Sequence, residues 1–434
     1  MSSKLQPVRG THDILPDEFK KFDTVISTAR ELGTLYGFAE MATPIFEQTE
    51  VFSRSMGETS DVVSKEMFTF ETRGGESVTL RPEFTAGTAR AFISNGMQQN
   101  LPLKLFSTGQ VFRYERPQKG RQRQFHQVNF ELLGDDNWQA DVEMILLASN
   151  LLSMLSDEEI SLHINTLGDV QSREKYRDAL VAYLTPLVDK LSEDSQRRLV
   201  SNPLRILDSK DKNDKEILVN APIMTDYLSD AAKQRFEKIC AILKDDMLQF
   251  SQKIIIDPAL VRGLDYYTDT VFEFVANSGE LGAQNTVLAG GRYDGLIEQM
   301  GGKPTPAIGF ASGVERLSLL LADDATDPEQ YKVILLPLDG MPANTVFSVS
   351  SVLRFNLSEV LPCLNVEILW HGKLSKRLEK AVKNGASYAI IMSPEDEKEG
   401  ACIVKNIATR EEKKVFFEDL TDDNEIIKIF TPKY

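Results

Sequence analysis

Apolar residues recur at helical spacing over residues 18–36, where Phe19, Phe22, Val25, Ile26, Ala29, Leu32 and Leu35 form one stripe and Gly37 ends the pattern. That spacing predicts an amphipathic helix. Strand-like pieces dominate from there to about residue 82, with EMFTFET and SVTLRPE placed to pair as a hairpin around Gly74 and Gly75. Residues 84–95 and 138–155 read as further helices. Between them lies 106–134, FSTGQVFRYERPQKGRQRQFHQVNFELLG, an apolar approach, a polar loop broken by Pro117 and Gly120, and an apolar return. From about 171 to 250 the chain turns charged and helix-favouring, which predicts an inserted helical subdomain. Strand character resumes at KIIIDPALVRGLDYYTDTVFEFVA, and AIGFASGVERLSLLLA reads as a strand turning into a helix. The acidic stretch 322–330 has the composition of a linker. Beyond it KVILLPL, VEILW and YAIIM alternate with helical segments at 344–358 and in KLSKRLEKAVKN, stopped by Asn384 and Gly385. This alternation predicts a small α/β domain with a largely parallel sheet. No internal repeat or low-complexity tract is present.

The bulk numbers narrow the partners. A chain of 434 residues, 42% hydrophobic and 26% charged, is expected to form two to three soluble domains. With 49 basic against 65 acidic residues the net charge is −16, so general coating of nucleic acid and docking on anionic membranes are disfavoured and a polyanion must be met on a local patch. Residues 331–434 carry 14 basic and 15 acidic residues, a net of −1, and a basic face is expected on the helix bearing His371, Lys373, Lys376, Arg377, Lys380 and Lys383. Only Cys240, Cys363 and Cys402 occur, without a CxxC pair, which speaks against a disulfide framework or a cysteine zinc site and fits a reducing cytosol. The amino terminus has no apolar core segment, and no apolar run nears the ~20 residues that span a bilayer. A cytoplasmic protein without membrane contact is expected.

Individually, the candidate chemical residues each have an ordinary alternative. Arg113, Arg116, Lys119, Arg121 and Arg123 are concentrated in the loop of 106–134, either as a solvated charged hairpin or as a receptor for an anion. GGRYDG at 290–295 is a tight turn or a loose phosphate-binding turn, without GxGxxG or GKT/S spacing. Arg262 beside Asp265, Tyr266 and Tyr267 suits a structural ion pair near core aromatics as well as a site. Glu83 and Glu131 could be surface carboxylates. His126 shows no metal-ligand spacing with His12, His163 or His371.

Taken together, RPEFTAG, the arginine hairpin, RGLDYYTDTVFEF and GFASGVERL resemble the histidyl-tRNA synthetase family. GFAEMATPIFE, FRYERPQKGRQRQFHQVNFELLG and AIGFASGVERL are similar to the three class II synthetase motifs, and RGLDYYTDTVFEF with GGRYDGL to the two histidine-specific motifs. The resemblance implies an α+β fold. An antiparallel-sheet catalytic core would span residues 1–325 with a helical insertion at about 171–250, and an α/β anticodon-binding domain would span 331–434. It also implies ATP as substrate with Mg2+ and no protein metal site, L-histidine and its cognate tRNA as partners, and a homodimer. By resemblance, Arg113 and Arg262 serve catalysis at the α-phosphate and the histidine carboxylate. Arg121 and Arg316 grip the outer phosphates, Phe125 stacks on adenine, and Glu115 lies near its amino group. Glu83, Phe84, Thr85, Gln127, Glu131, Tyr266, Tyr267 and Tyr293 would surround histidine. Phe84 stands where many members have a small residue, and Asp269 where they often carry a basic or amide residue. A regulatory paralogue that senses histidine without catalysis is the rival reading, but such proteins typically lose catalytic residues and the tail, both present here.

Overall fold

The computed structural model describes residues 5–57, 62–118, 120–248, 250–261, 266–277, 285–322, 331–356 and 364–430. Lys119, residues 262–265 with Arg262, Cys363 and residues 323–330 of the expected linker lie outside the described residues. The chain divides into two compact units, Met1–Asp323 and Asp324–Tyr434.

The first apolar stripe folds as α1 (Pro16–Leu35), with Pro16 in the opening turn and Asp17 and Glu18 at the positive end of the helix dipole. Its buried face runs from Phe22 to Gly33. Phe19 and Leu35, expected on that face, are 51% and 80% exposed. After β1 (Ala39–Glu40), the strands β2 (Phe46–Gln48), β3 (Phe68–Glu71) and β4 (Ser77–Leu80) make a small antiparallel sheet in the order β2-β4-β3. The hairpin expected around Gly74 and Gly75 is β3–β4. A helix absent from the sequence reading, α2 (Thr49–Met56), separates β2 from β3. Next come α3 (Thr85–Ser94), β5 (Leu103–Phe112) and β6 (Gln124–Leu133), the last two antiparallel from Leu103 opposite Leu133 to Phe112 opposite Gln124.

Beyond α4 (Trp138–Leu155) and β7 (Ile160–Thr166) the chain is helical through α5 (Val170–Leu184), α6 (Glu193–Ser201), α7 (Lys212–Leu218) and α8 (Asp230–Leu243). Each of these four starts on a capping side chain, Asp169, Ser192, Asp211 or Ser229, that accepts a backbone N–H of its first turn. Tyr176, Leu180, Leu184, Leu204, Ile206 and Met224 form a separate small core. In contrast, Phe236, Ile239, Cys240 and Leu243 of α8 join the main core, so the separately packed part is shorter than composition suggested.

The unit closes with β8 (Lys253–Ile256), β9 (Thr268–Ala276), β10 (Thr286–Arg292), α9 (Leu296–Gln299), β11 (Ala307–Gly313) and α10 (Val314–Ser318). An eight-stranded sheet runs β1-β5-β6-β11-β10-β9-β7-β8. It is antiparallel apart from its outer pairs, β1 with β5 and β7 with β8. One face is sealed by α1, α4 and α8 over Val128, Phe130, Leu132, Phe272, Phe274 and Ile308. Removal of side chains of this size from water stabilises by roughly 1.5–3 kcal/mol each. The other face carries a cleft. Gly290 and Gly291 form neither a tight turn nor a phosphate loop: they lie inside β10, and a Cβ on Gly290 would meet the Gly309 carbonyl oxygen at 2.4 Å. Close strand approach is what requires glycine there.

The second unit consists of β12 (Lys332–Pro337), α11 (Ala343–Asn356), β13 (Asn365–Ile368), α12 (Leu374–Lys383), β14 (Tyr388–Met392), α13 (Pro394–Lys398), β15 (Ala401–Asn406), β16 (Glu412–Phe416) and α14 (Asp423–Phe430). Its sheet, β13-β12-β14-β15-β16, is parallel only in the first three strands. The antiparallel β15 and β16 correct the expectation of a largely parallel sheet; as short strands of mixed polarity, ACIVKN and EKKVF carry too weak an alternation to stand out. Arg377 does not belong to the basic face of α12. It is buried and donates from Nη1 to the Pro337 and Leu369 carbonyls at 2.7 and 2.8 Å.

Candidate active site

Strand β6 builds the floor of the cleft. Its residues alternate, with Val128, Phe130 and Leu132 packed under the helices, Phe125 and Gln127 lining the cleft on the opposite side, and Glu131 buried beside it against Tyr293 of the lining. Phe125 and Glu131 are six residues apart, about 20 Å of extended strand, so one strand reaches from the cationic part of the site to the buried carboxylate. On the neighbouring β11 the positions opposite Glu131, Asn129 and Gln127 are Gly309, Ala311 and Gly313. These small residues leave room for the cleft, about 670 Å³ in volume. A Cβ on Gly309 would lie 1.7 Å from Oε2 of Glu131.

Glu131 is 1% exposed. Its Oε1 accepts from the Thr85 hydroxyl at 2.5 Å and from Asn129 Nδ2 at 3.0 Å, and its Oε2 accepts from the Tyr293 hydroxyl. Burial outweighs these donors and pushes its pKa up to about 7, with the Glu83 charge adding to the effect. Glu83 stands at the start of α3, its carboxylate accepting from the backbone N–H of Thr85 at 2.5 Å and of Ala86 at 2.7 Å. Burial raises its pKa as well. Thr85 thus touches both carboxylates. Tyr266 packs at 4.6 Å from the ring of Tyr267 and 5.6 Å from that of Tyr293, and all three are buried. Gln127 is buried with an Oε1 that has no partner among the described residues, an acceptor available to a ligand.

In the cationic part, Arg113 and Arg316 are held by backbone carbonyls and Arg121 by a carboxylate. Arg113 donates from Nε to the Pro82 carbonyl at 3.0 Å and lies 5.4 Å from the centre of the Phe125 ring. Arg121 pairs with Glu115 at 2.7 Å. Arg316, at the start of α10, donates to the Thr286 and Gly120 carbonyls at 2.7 and 3.1 Å. Burial and the neighbouring Arg121 lower its pKa, an electrostatic strain that a bound anion relieves. Since Pro82 precedes Glu83, the Arg113 contact joins the cationic group to the carboxylate group.

The structure sorts the sequence candidates. Arg113, Glu115, Arg121, Phe125 and Arg316 come together, as do Glu83, Thr85, Gln127, Glu131, Tyr266, Tyr267 and Tyr293; all line the cleft except Glu131, which is buried beside it and bonded to Thr85 and Tyr293 of the lining. Phe84 does not line it: its ring is 1% exposed and lies under the Arg81 guanidinium, 4.2 Å away. Arg123 stacks on Tyr114 at 3.8 Å, and Arg116 is exposed, so neither belongs to the group. His126 faces the helices, with its ring nitrogen 2.9 Å from Glu315 and its ring 4.5 Å from that of Phe22, a structural histidine. The sequence reading missed Asn129 and the cleft contribution of Leu207, Asp208, Ser209 and Lys210 from the helical segment. The alternation Gln127, Val128, Asn129, Phe130, Glu131, Leu132 was the available signal for Asn129; nothing local marks 207–210.

Comparison with known proteins agrees with this geometry. The family model for histidyl-tRNA synthetase matches residues 10–317. A histidine–tRNA ligase of Rhodospirillum rubrum is 50% identical over 414 residues, covering 95% of this chain and 96% of its own. One of Gluconobacter oxydans is 47% identical over 419 residues, covering 96% and 98%. The apo crystal structure of the S. aureus histidyl-tRNA synthetase is 31% identical and superimposes with a TM-score of 0.79, covering 96% of this chain and 98% of that one. From the antiparallel sheet to the tail domain, this chain belongs to the histidyl-tRNA synthetase family.

Proposed function

We propose that the chain is an ATP-dependent histidine–tRNA ligase. The observation that carries the reading is the single floor strand β6, which sets the buried carboxylate of Glu131 against Thr85 and Tyr293 of the cleft lining at one point and Phe125 beneath the Arg113 guanidinium at another. In the first step the histidine carboxylate attacks the α-phosphorus of ATP and pyrophosphate leaves. In the second the terminal ribose hydroxyl of the tRNA attacks the adenylate carbonyl and AMP leaves. Both steps depend on bringing anions together and stabilising the charge that develops. Arg113 and Arg262 act at the α-phosphate and carboxylate, and Arg121 and Arg316 bind the outer phosphates as planar forks. Phe125 stacks on adenine, and Glu115 reaches its amino group. Glu83, Thr85 and Gln127 meet the α-amino and carboxylate groups, while Glu131, Tyr267 and Tyr293 surround the imidazole, with Tyr266 packed behind them. Acceptor and donor groups can then satisfy both ring nitrogens.

Magnesium is part of the nucleotide substrate in this reading. It takes most of its ligands from phosphate and water and asks the protein for one or two carboxylates; Glu273 lines the cleft. The tail unit, residues 331–434, is assigned to the anticodon side of the tRNA, and the active form to a homodimer. No helix among the described residues is long and apolar enough to cross a membrane, and a cytoplasmic location completes the proposal. The test is histidine-dependent ATP–pyrophosphate exchange followed by charging of cognate tRNA. A folded protein without exchange would turn the reading towards a histidine sensor. Arg262→Ala should slow adenylation roughly 10²- to 10³-fold while transfer from preformed adenylate suffers less. Unchanged adenylation by stable Arg262→Ala protein would remove that residue from the site.

A further inference from the structure

Behind the cleft lies a buried charge network that the reaction itself does not use. Asp141 on α4 and Arg292 at the end of β10 are both 0% exposed. Oδ1 of Asp141 accepts from Arg292 Nε at 2.8 Å and Nη2 at 2.6 Å. Its Oδ2 accepts from Arg235 of α8, Nε at 3.1 Å and Nη2 at 3.0 Å, and from the Thr270 hydroxyl at 3.0 Å. Arg292 also donates from Nη1 to Asp294 Oδ1 at 3.1 Å and to the Asp135 carbonyl at 3.0 Å. Two full charges out of water persist only when each is so completely paired, and loss of one partner leaves the other uncompensated.

The place of this network in the chain gives it a consequence at the cleft. The β9–β10 pairing shifts register between Gly291 and Arg292, the kind of irregularity that re-aims side chains beside a site. Arg292 is drawn towards α4, and the next residue, Tyr293, points its hydroxyl to Glu131 on the cleft side. The helical segment is tied in at both ends. Arg235 on its last helix shares Asp141, and Arg173 on its first donates from Nη1 to the Tyr267 carbonyl at 3.0 Å.

We propose that Asp141 is a positioning residue for imidazole recognition: through Arg292 it holds Tyr293 against Glu131, and through Arg235 it makes that placement depend on how α8 packs. The inference rests on the assignment of Tyr293 and Glu131 to the histidine pocket. The experiment is a double-mutant cycle in the full chain, Asp141→Asn, Tyr293→Phe and both, with KM for histidine and for ATP measured in pyrophosphate exchange. Each single change should raise the histidine KM about tenfold, as loss of a supporting hydrogen-bond partner does elsewhere, and leave the ATP KM within about twofold. The double variant should be no worse than the worse single, since both act on one contact. Arg235→Gln, which leaves the Asp141–Arg292 pair in place, should raise the histidine KM in the same direction by less. If Asp141→Asn fails to fold, Arg235→Gln takes its place in the cycle. Multiplying effects in the double variant, or equal rises in both KM values, would make the network structural only and overturn the proposal. An unchanged histidine KM in Tyr293→Phe alone would instead remove Tyr293 from the pocket, and the positioning role with it.

Discussion

At the scale of residues, the cleft turns on carboxyl groups taken out of water. Glu131 keeps its proton to about pH 7 in the folded chain, against an ordinary value of 4.5. The folded state therefore binds more protons than the unfolded one between those values, and this group's contribution to stability falls as pH rises through that window, by on the order of 3 kcal/mol. Glu131→Gln removes the ionisation but also the acceptor proposed for histidine. Its histidine KM should rise about 10- to 100-fold, the worth of one charged hydrogen bond, with the ATP KM little changed. Without ligand it should melt higher than the parent at pH 8, the gap closing towards pH 5. Equal losses for both substrates, or parallel melting curves across pH, would defeat the assignment. Gly309 is a sharper probe, because its missing side chain is what leaves space for Oε2 of Glu131. Gly309→Ala should cut exchange by at least about 10²-fold through misplacement alone. A stable variant with normal exchange would mean that the carboxylate works elsewhere.

At the scale of elements, the irregular end of β9 explains a departure that motif comparison could only flag. Asp269 sits at φ 42°, a left-handed conformation that aspartate and asparagine tolerate better than other non-glycine residues. Burial raises its pKa to about 6, and the nearby Asp294 and Asp141 charges oppose Arg235. Asparagine would keep the backbone preference without the buried charge. Asp269→Asn should therefore melt above the parent at pH 7.5, and Asp269→Ala below it by the equivalent of about 1 kcal/mol or more. The reverse order in calorimetry would show that the carboxylate makes a needed ion pair. Phe84 is explained at the same scale. It does not narrow the cleft, because its ring turns under Arg81, whose guanidinium holds the Thr43 and Gln110 carbonyls at 2.8 Å.

At the scale of the molecule, charge and cores are divided unequally. The tail unit has its own core, including Val333, Leu335, Val346, Ile390 and Phe430. Residues 331–434 hold a net −1 of the chain's −16, which leaves them the less repellent surface for a polyanion. Ending the chain at residue 325 should preserve pyrophosphate exchange and lower tRNA charging by about tenfold or more, equivalent to at least ~1.4 kcal/mol of lost binding. Thermal unfolding of the truncated protein checks that the rest is intact. Charging at the full-length rate would separate the tail from tRNA discrimination.

The amino-acid sequence by itself determined the long regular elements and the residue types of the cleft. Periodicity marked α1 and α4, turn residues marked the hairpins, and motif resemblance picked out Glu83, Arg113, Glu131, Tyr293 and Arg316. These signals are local, since hydrophobic spacing and backbone propensity act over a few turns or strand residues. What only the tertiary structure decided depends on strand neighbours distant in sequence. Gly290 and Gly291 became strand residues because β11 and β9 press against them, and Phe84 left the site because Arg81 offered it a buried face. Asp141 acquired two arginines lying 94 and 151 positions away in the chain. A buried charge must find its partner in space, and no spacing rule along one strand of sequence can say where that partner stands.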